Sequence, residues 1–244
     1  VVPARLQVTG IGWVLPGNVG AGAAFAELAR TWHGQPGDNA ALAGFSAKDY
    51  LTSVKGYLDP AGAFCLAAAV QALGGPRHAG AAAGGTHLRS GLCTITRYGS
   101  TLSGYRFAEQ LLQKGPRFAS PLVFPHGYAN TPGNLAAIEF GYAGPHMVLY
   151  GEQDVREALE FAARRFDDES ADDLLVAAYE SAEGAAVPDD LSVTHGAVAL
   201  YLQATPDRPV LASLDLPRLR ALAVPDSARG MAAALIHLLA AALP

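Results

Sequence analysis

The chain has 244 residues, half of them hydrophobic and 16% charged, with a formal net charge of -5 and an isoelectric point near 5.8. That length and apolar fraction provide for a substantial core in one large domain or two small ones, and scattered Lys and Arg residues leave no basic stripe for nucleic acid. Apolar runs break off well before the roughly 18 residues of a membrane span, and the N-terminus lacks the basic, apolar and small-residue order of a signal peptide, so a cytoplasmic protein without a membrane segment is expected.

Leu6 to Ile11 reads as a strand entering a glycine turn at Gly10 and Gly12, followed by a helix over Ala23–Trp32 with Phe25, Leu28, Ala29 and Trp32 on one stripe. Gly10-Ile11-Gly12 lacks the third glycine of a dinucleotide-binding turn, and a proline-containing loop follows where that motif has a helix. Asp38 to Tyr57 is polar and irregular. Asp59-Pro60 starts a helix that turns Phe64, Ala67, Ala68 and Leu73 toward a core, and Arg77 to Arg89 is a Gly/Ala-rich connector, the best candidate for a mobile loop. Leu92–Thr96 is a strand and Leu102–Lys114 a helix closed by Gly115-Pro116.

The stretch from Lys114 to Arg156 carries the most specific pattern. Asn130-Thr131-Pro132 can cap and start a helix on which Leu135, Ile138 and Tyr142 could share a face; Met147–Tyr150 is a short apolar run of the kind that forms a central strand. Gly151 can take a backbone angle closed to other residues, and Asp154 with Glu157 makes a capping box for a helix whose Val155, Ala158, Leu159, Ala162, Ala163 and Phe166 repeat every three or four residues. A strand, an elbow and a helix in that order present a side chain at a helix N-terminus, where nucleophiles and anions are favoured.

Beyond it, Asp167 to Asp173 reads as a solvated acidic turn and Leu174–Tyr179 as a buried strand. Glu180–Leu191 is a polar excursion, and Val193–Gln203 is a long apolar strand able to pair antiparallel with Leu174–Tyr179. Val210–Leu214 is one more strand and Ala228–Leu243 a terminal apolar helix containing His237. Cys65 and Cys93 lie in apolar runs without paired spacing and read as buried reduced thiols. The seven histidines fall at no metal-ligand spacing, and neither a metal nor a cofactor is expected.

Taken in register, Val8-Thr9-Gly10-Ile11-Gly12, Asp59 through Ala67-Ala68-Ala69, Lys114-Gly115-Pro116-Arg117, Ser120-Pro121, Asn130 to Ala137, Gly144-Pro145 and His195-Gly196-Ala197-Val198 resemble the N-terminal half of a β-ketoacyl-acyl-carrier-protein synthase. The resemblance covers nearly the whole chain and implies one synthase-N-terminal-like domain over residues 1–244. It implies an α/β, thiolase-like half with a five-stranded mixed sheet packed between helices, and dimerisation through the strand that precedes the elbow. It also implies a condensing cysteine at the elbow, and here the chain departs from the family. Counting from Gly144-Pro145 brings Gln153 to that position, while counting back from Ala162-Ala163 brings Glu152, so the elbow Gly151-Glu152-Gln153 has no thiol and no catalytic residue is assigned. Without a thiol the covalent acyl thioester of condensation cannot form, and Glu152, Asp154 and Glu157 would surround the elbow with negative charge. The family's two histidines and lysine of the second half have no counterpart. Chain-length factors, the non-condensing partners of type II polyketide synthases, commonly carry glutamine in place of the cysteine, and truncated synthase-like proteins of aryl-polyene-type pathways are similar.

The resemblance thus implies a catalytically silent synthase-like subunit of fatty-acid or polyketide biosynthesis, a homodimer or a heterodimer with a full-length ketosynthase, with an acyl carrier protein as a further partner. Its pocket residues would be Phe124, His126, Tyr128 and Asn130. Two other readings are an acyl-chain or carrier-protein binding module, and a thioesterase or acyltransferase using Cys93, Ser100 or Ser120 with His126; for the latter no Gly-x-Ser-x-Gly elbow and no triad acid is evident.

Overall fold

In the computed structural model of the chain, the residues described are 5–34, 36–51, 58–75, 85–182, 193–223, 226 and 229–243, without the side chains of 36–38. Residues 76–84 and 183–192 lie outside this set, and with them most of the expected mobile connector and of the polar excursion.

The strands are β1 (Arg5–Leu15), β2 (Asn18–Ala21), β3 (Ser90–Thr96), β4 (His146–Tyr150), β5 (Asp173–Glu180), β6 (Gly196–Gln203) and β7 (Ala212–Asp215). They form one mixed sheet in the order β2-β1-β6-β5-β3-β4, with β7 also paired to β1. The five long strands are the expected mixed sheet; β2 and β7 are short additions along β1. Strands β4, β3 and β5 are mutually parallel, and β6 runs antiparallel to both β5 and β1.

Helices cover both faces. On β5, Leu174, Val176 and Ala178 pack with α1 (Phe25–Thr31), α5 (Arg156–Asp167), α6 (Leu216–Ala221) and α7 (Met231–Ala242), whereas Leu175, Ala177 and Tyr179 pack with α2 (Pro60–Ala72) and α4 (Thr131–Phe140). That alternation is what a strand buried on both faces requires. Asp59 caps α2 as its sequence suggests, accepting from the Ala61 N–H at 2.9 Å and also from the Ser103 N–H at 2.9 Å.

Gly10 and Gly12 do not end the first strand. The strand runs through them to Leu15, and a register shift between Val8 and Gly10 turns both glycines toward α2. A Cβ on Gly10 would lie 1.9 Å from the Ala72 carbonyl oxygen, and one on Gly12 2.1 Å from that of Ala68. The glycines are there so that a helix backbone can lie directly on a strand backbone.

Two further expectations are corrected. Ile138 is 71% exposed; α4 instead buries Pro132, Gly133, Ala136 and Phe140, because the close approach of this helix to β3 and β4 selects small residues, with Thr94 Oγ1 and His146 Nε2 each 3.0 Å from where a Gly133 Cβ would be. The apolar run Met147–Tyr150 is an edge strand, not a central one: among the described strands β4 pairs with β3 alone, and Met147 and Tyr150 are exposed.

Candidate functional site

The C-terminal ends of β3, β4 and β5 meet where ligands bind in open parallel sheets. β4 is followed by Gly151, whose φ of +90° makes the elbow and whose N–H donates to the Thr96 carbonyl at 3.1 Å. The capping box then forms as expected: the Asp154 carboxylate accepts from the Arg156 N–H at 3.0 Å, and the Glu157 carboxylate accepts from the Asp154 N–H at 3.4 Å. The first N–H of α5, that of Arg156, is therefore taken by the chain's own Asp154 carboxylate, and the Glu157 N–H by the Asp154 carbonyl at 2.9 Å.

The charge around the elbow is not the unopposed negative cluster that the sequence suggested. Glu152 is paired with Arg97 at 2.8 Å, and Asp154 holds the Arg156 guanidinium through both oxygens. Burial works against the Asp154 carboxylate, yet its bonds to Arg156 hold its pKa below the usual value. Arg156 also donates to the carbonyls of Leu219, Arg220 and Leu222, tying the elbow to the end of α6. Both cysteines lie elsewhere, free and buried in α2 and β3; burial pushes both thiols up to about 12, far from a reactive thiolate.

Beside the elbow lies an open cleft of about 670 Å³ between the turn after β3, α3 (Thr101–Lys114), the loop before α4, and β4. Its walls include Tyr98, Tyr105, Tyr128 and Tyr150, with Val148 and Asn130 between them, and among the described residues no charged side chain lines it. Small residues keep it open and hold its walls together. A Cβ on Gly127 would lie 2.8 Å from the Gly104 Cα, and one on Gly99 3.3 Å from the Tyr150 ring. Tyr179 reaches from β5 to donate to the Ala129 carbonyl, fixing the loop that carries Tyr128 and Asn130.

Of the four pocket residues proposed from the sequence, Tyr128 and Asn130 line the cleft, whereas Phe124 and His126 are in the same loop but not in its lining. Phe124 packs on Phe107 at 4.8 Å and on Tyr128 at 5.1 Å, and is a support of the wall. His126 is half-buried with no partner for Nδ1; burial lowers its pKa, a pull the Asp59 carboxylate opposes. Asn130 makes no side-chain cap, because its own backbone is already helical (φ -84°, ψ -10°) and its side chain cannot reach back over the first turn. None of Cys93, Ser100 and Ser120 is hydrogen-bonded to His126; the Ser100 hydroxyl is buried without a partner, and Ser120 is bonded through its N–H to Gln110. Among the described residues no three His, Cys, Asp or Glu side chains converge on a metal position, and no helix is long and apolar enough to cross a membrane.

Three residues that the sequence did not mark as functional organise this end of the sheet: Arg97, Arg156 and Glu180. Glu180 was assigned to a polar excursion, yet it is the last residue of β5 and wholly buried. Its carboxylate accepts from the Thr96 hydroxyl at 3.1 Å and from the N–H groups of Arg97, of Tyr98 at 3.2 Å and of Met231 at 3.3 Å. One side chain thereby fixes the turn that forms a wall of the cleft and the first N–H of α7.

The strand order, the elbow after the edge strand and the helices on both faces define a thiolase-type fold of the kind that ketosynthases and chain length factors share. Among solved structures the chain is similar to the ishigamide ketosynthase/chain length factor, with a TM-score of 0.65 and 20% identity over 87% of this chain and 66% of that one. It is also similar to a type II polyketide synthase acyl-carrier protein in complex with its ketosynthase bound to the hexaketide, with a TM-score of 0.63 and 16% identity over 82% of this chain and 62% of that one. A third is a ketosynthase in complex with its chain length factor from Xenorhabdus doucetiae, with a TM-score of 0.53 and 15% identity over 85% and 81%. At these identities it is the fold that is shared, and the chain spans about two thirds of the first two. No protein-family model and no curated protein matches the sequence.

Proposed function

We propose that the chain, as one synthase-like domain, is a catalytically silent subunit of fatty-acid or polyketide biosynthesis that pairs through β4 and α3 with a complete ketosynthase or with a second copy of itself. The observation that carries this is an uncovered apolar surface. Among the described residues the outer edge of β4 is unpaired, with Met147 40% and Tyr150 57% exposed, and an open strand edge with apolar side chains is a template for another chain. Next to it α3 buries only Ser103 and rests mainly on the turn Phe124–Gly127, leaving Leu112 85% exposed, and Phe118 in the turn that follows the helix is 68% exposed. Such a patch on a chain otherwise well packed marks an interaction face.

Silence is supported by the elbow itself, where Glu152 and Gln153 stand and the Arg156 N–H that opens α5 is already taken by Asp154. The cleft opens beside the pairing face, so an acyl chain delivered by a partner or carrier protein could lie against Tyr128 and Asn130. Co-expression with a complete ketosynthase, followed by size-exclusion chromatography with light scattering, tests the pairing. A stable complex or a homodimer is expected; a monomer at micromolar concentration that no ketosynthase retains would overturn it. The alternative of an acyl-chain binding module draws on the cleft alone and requires chain binding without any partner protein.

A further inference from the structure

A second cavity, of about 480 Å³, lies away from the elbow, between the segment that precedes Phe45, the first turns of α2 and α3, and the chain just before β6. Its apolar walls include Phe45, Phe64 and Leu102, with Phe45 and Phe64 edge-to-face at 5.5 Å. Three polar side chains border it, Arg106, His195 and Asn39. Arg106 is exposed on α3 and has no carboxylate partner among the described residues, so a full positive charge stands at the rim of an apolar hollow. The one carboxylate on the adjoining turn, Asp59, is buried under Ala61 and Ser103 N–H donors.

His195 is set in place from two sides. Its N–H donates to Asn39 Oδ1 at 2.9 Å, while Asn39 Nδ2 donates to the Val193 carbonyl at 2.8 Å. Its ring Nε2 lies 2.9 Å from the Ala182 carbonyl, which can only accept, so Nε2 carries the proton and Nδ1 is the open ring position. An oriented imidazole, a guanidinium without a carboxylate partner among the described residues and a phenyl-lined floor are a recognition set, since a pocket of this size takes its affinity from apolar walls and its orientation from a few polar groups.

We infer that this cavity binds a small carboxylate with a flat apolar body, the carboxylate held by Arg106 beside His195 and the body against Phe45 and Phe64. Guanidinium suits the assignment because its fork matches a carboxylate in two bonds. The site takes Arg106 from α3, the helix also placed at the pairing face, but it draws on no partner and is tested on the chain alone.

The test uses the whole chain and phenylacetate, with phenylacetamide as the uncharged analogue of the same shape, in calorimetric or NMR titrations. Phenylacetate is expected to bind at least about tenfold more tightly than the amide, the span of one charge-assisted bond pair. Arg106→Gln, a change on an exposed side chain that leaves the fold intact by circular dichroism, should bring the two ligands to within about twofold of each other. His195→Phe should weaken phenylacetate binding, and Tyr128→Ala in the other cleft should leave it unchanged. The inference is overturned by equal affinity for acid and amide, by an undiminished preference in Arg106→Gln, by loss of binding in Tyr128→Ala, or by no binding of phenylacetate at about 10 mM, where millimolar affinity would still register.

Discussion

Replacing Glu180 probes the joint between the sheet and the cleft. Alanine would strip the acceptor from three backbone N–H groups and the Thr96 hydroxyl, all at a wholly buried position. A buried donor left without a partner costs roughly 1–3 kcal/mol, and because the four share one carboxylate the losses do not simply add; about 4 kcal/mol is expected for Glu180→Ala. That is a large part of a typical stability of about 5–15 kcal/mol. Glutamine is the sharper probe. Its carbonyl can replace Oε1, which accepts three of the four bonds, while its amide nitrogen would face the Tyr98 N–H, for a loss of about 2 kcal/mol.

The two forms also differ in their response to pH. Burial pushes the Glu180 carboxyl from the usual 4.5 up to about 7, against the lowering pull of its N–H and hydroxyl donors. The folded chain then holds more protons than the unfolded chain between those values, so this residue's contribution is full below pH 4.5, is lost as the pH rises through about 7, and is flat above. The span corresponds to roughly 3 kcal/mol. Glutamine does not titrate, so urea denaturation followed by circular dichroism from pH 5 to pH 8 should find the advantage of about 2 kcal/mol that wild type holds over Glu180→Gln at pH 5 closing and then reversing as the pH rises, a change of up to about 3 kcal/mol. A gap that stays constant across that range, or a Glu180→Ala cost below about 1 kcal/mol, would refute the assignment of Glu180 as a buried, multiply bonded carboxyl.

Gly12→Ala should cost about 3 kcal/mol in the same denaturation assay, because the obstructing atom is a helix carbonyl that cannot turn aside. Tyr150→Lys should abolish association with a ketosynthase or a second copy while moving stability by less than about 0.5 kcal/mol, since the ring is exposed on an unpaired edge; chromatography of the mixed proteins reads the first and urea denaturation the second. Arg156→Ala should cost about 2 kcal/mol through its bonds to Asp154 and to the end of α6. As the Asp154 carboxyl titrates below its usual value, that contribution should persist at neutral pH and disappear only on acidification below the ordinary carboxylate range, seen as convergence of the two denaturation midpoints.

What could be read from the sequence was what depends on neighbours a few residues away. The capping box of Asp154 and Glu157 and the Asp59 cap of α2 are local bonds, and each formed where the sequence put it. The positive φ of Gly151 is the same kind of local demand. Features set by distant contacts were misread. Gly10 and Gly12 signal a turn when only their neighbours are considered, but α2, about 60 residues on, requires them inside a strand. Met147–Tyr150 has a core strand's composition because apolar residues serve equally a core or a face that another chain covers, and only the sheet order distinguishes the two. Glu180 was hidden for the opposite reason: a charged residue at a strand end reads as solvent-exposed, and the four donors that make its burial tolerable come from residues 96–98 and from residue 231. The elbow combines both cases. Its shape is local and was legible, whereas the pairing of Glu152 with Arg97 joins residues 55 apart, so two of the three carboxylates that read as an acidic cluster, Glu152 and Asp154, are in the fold held in ion pairs.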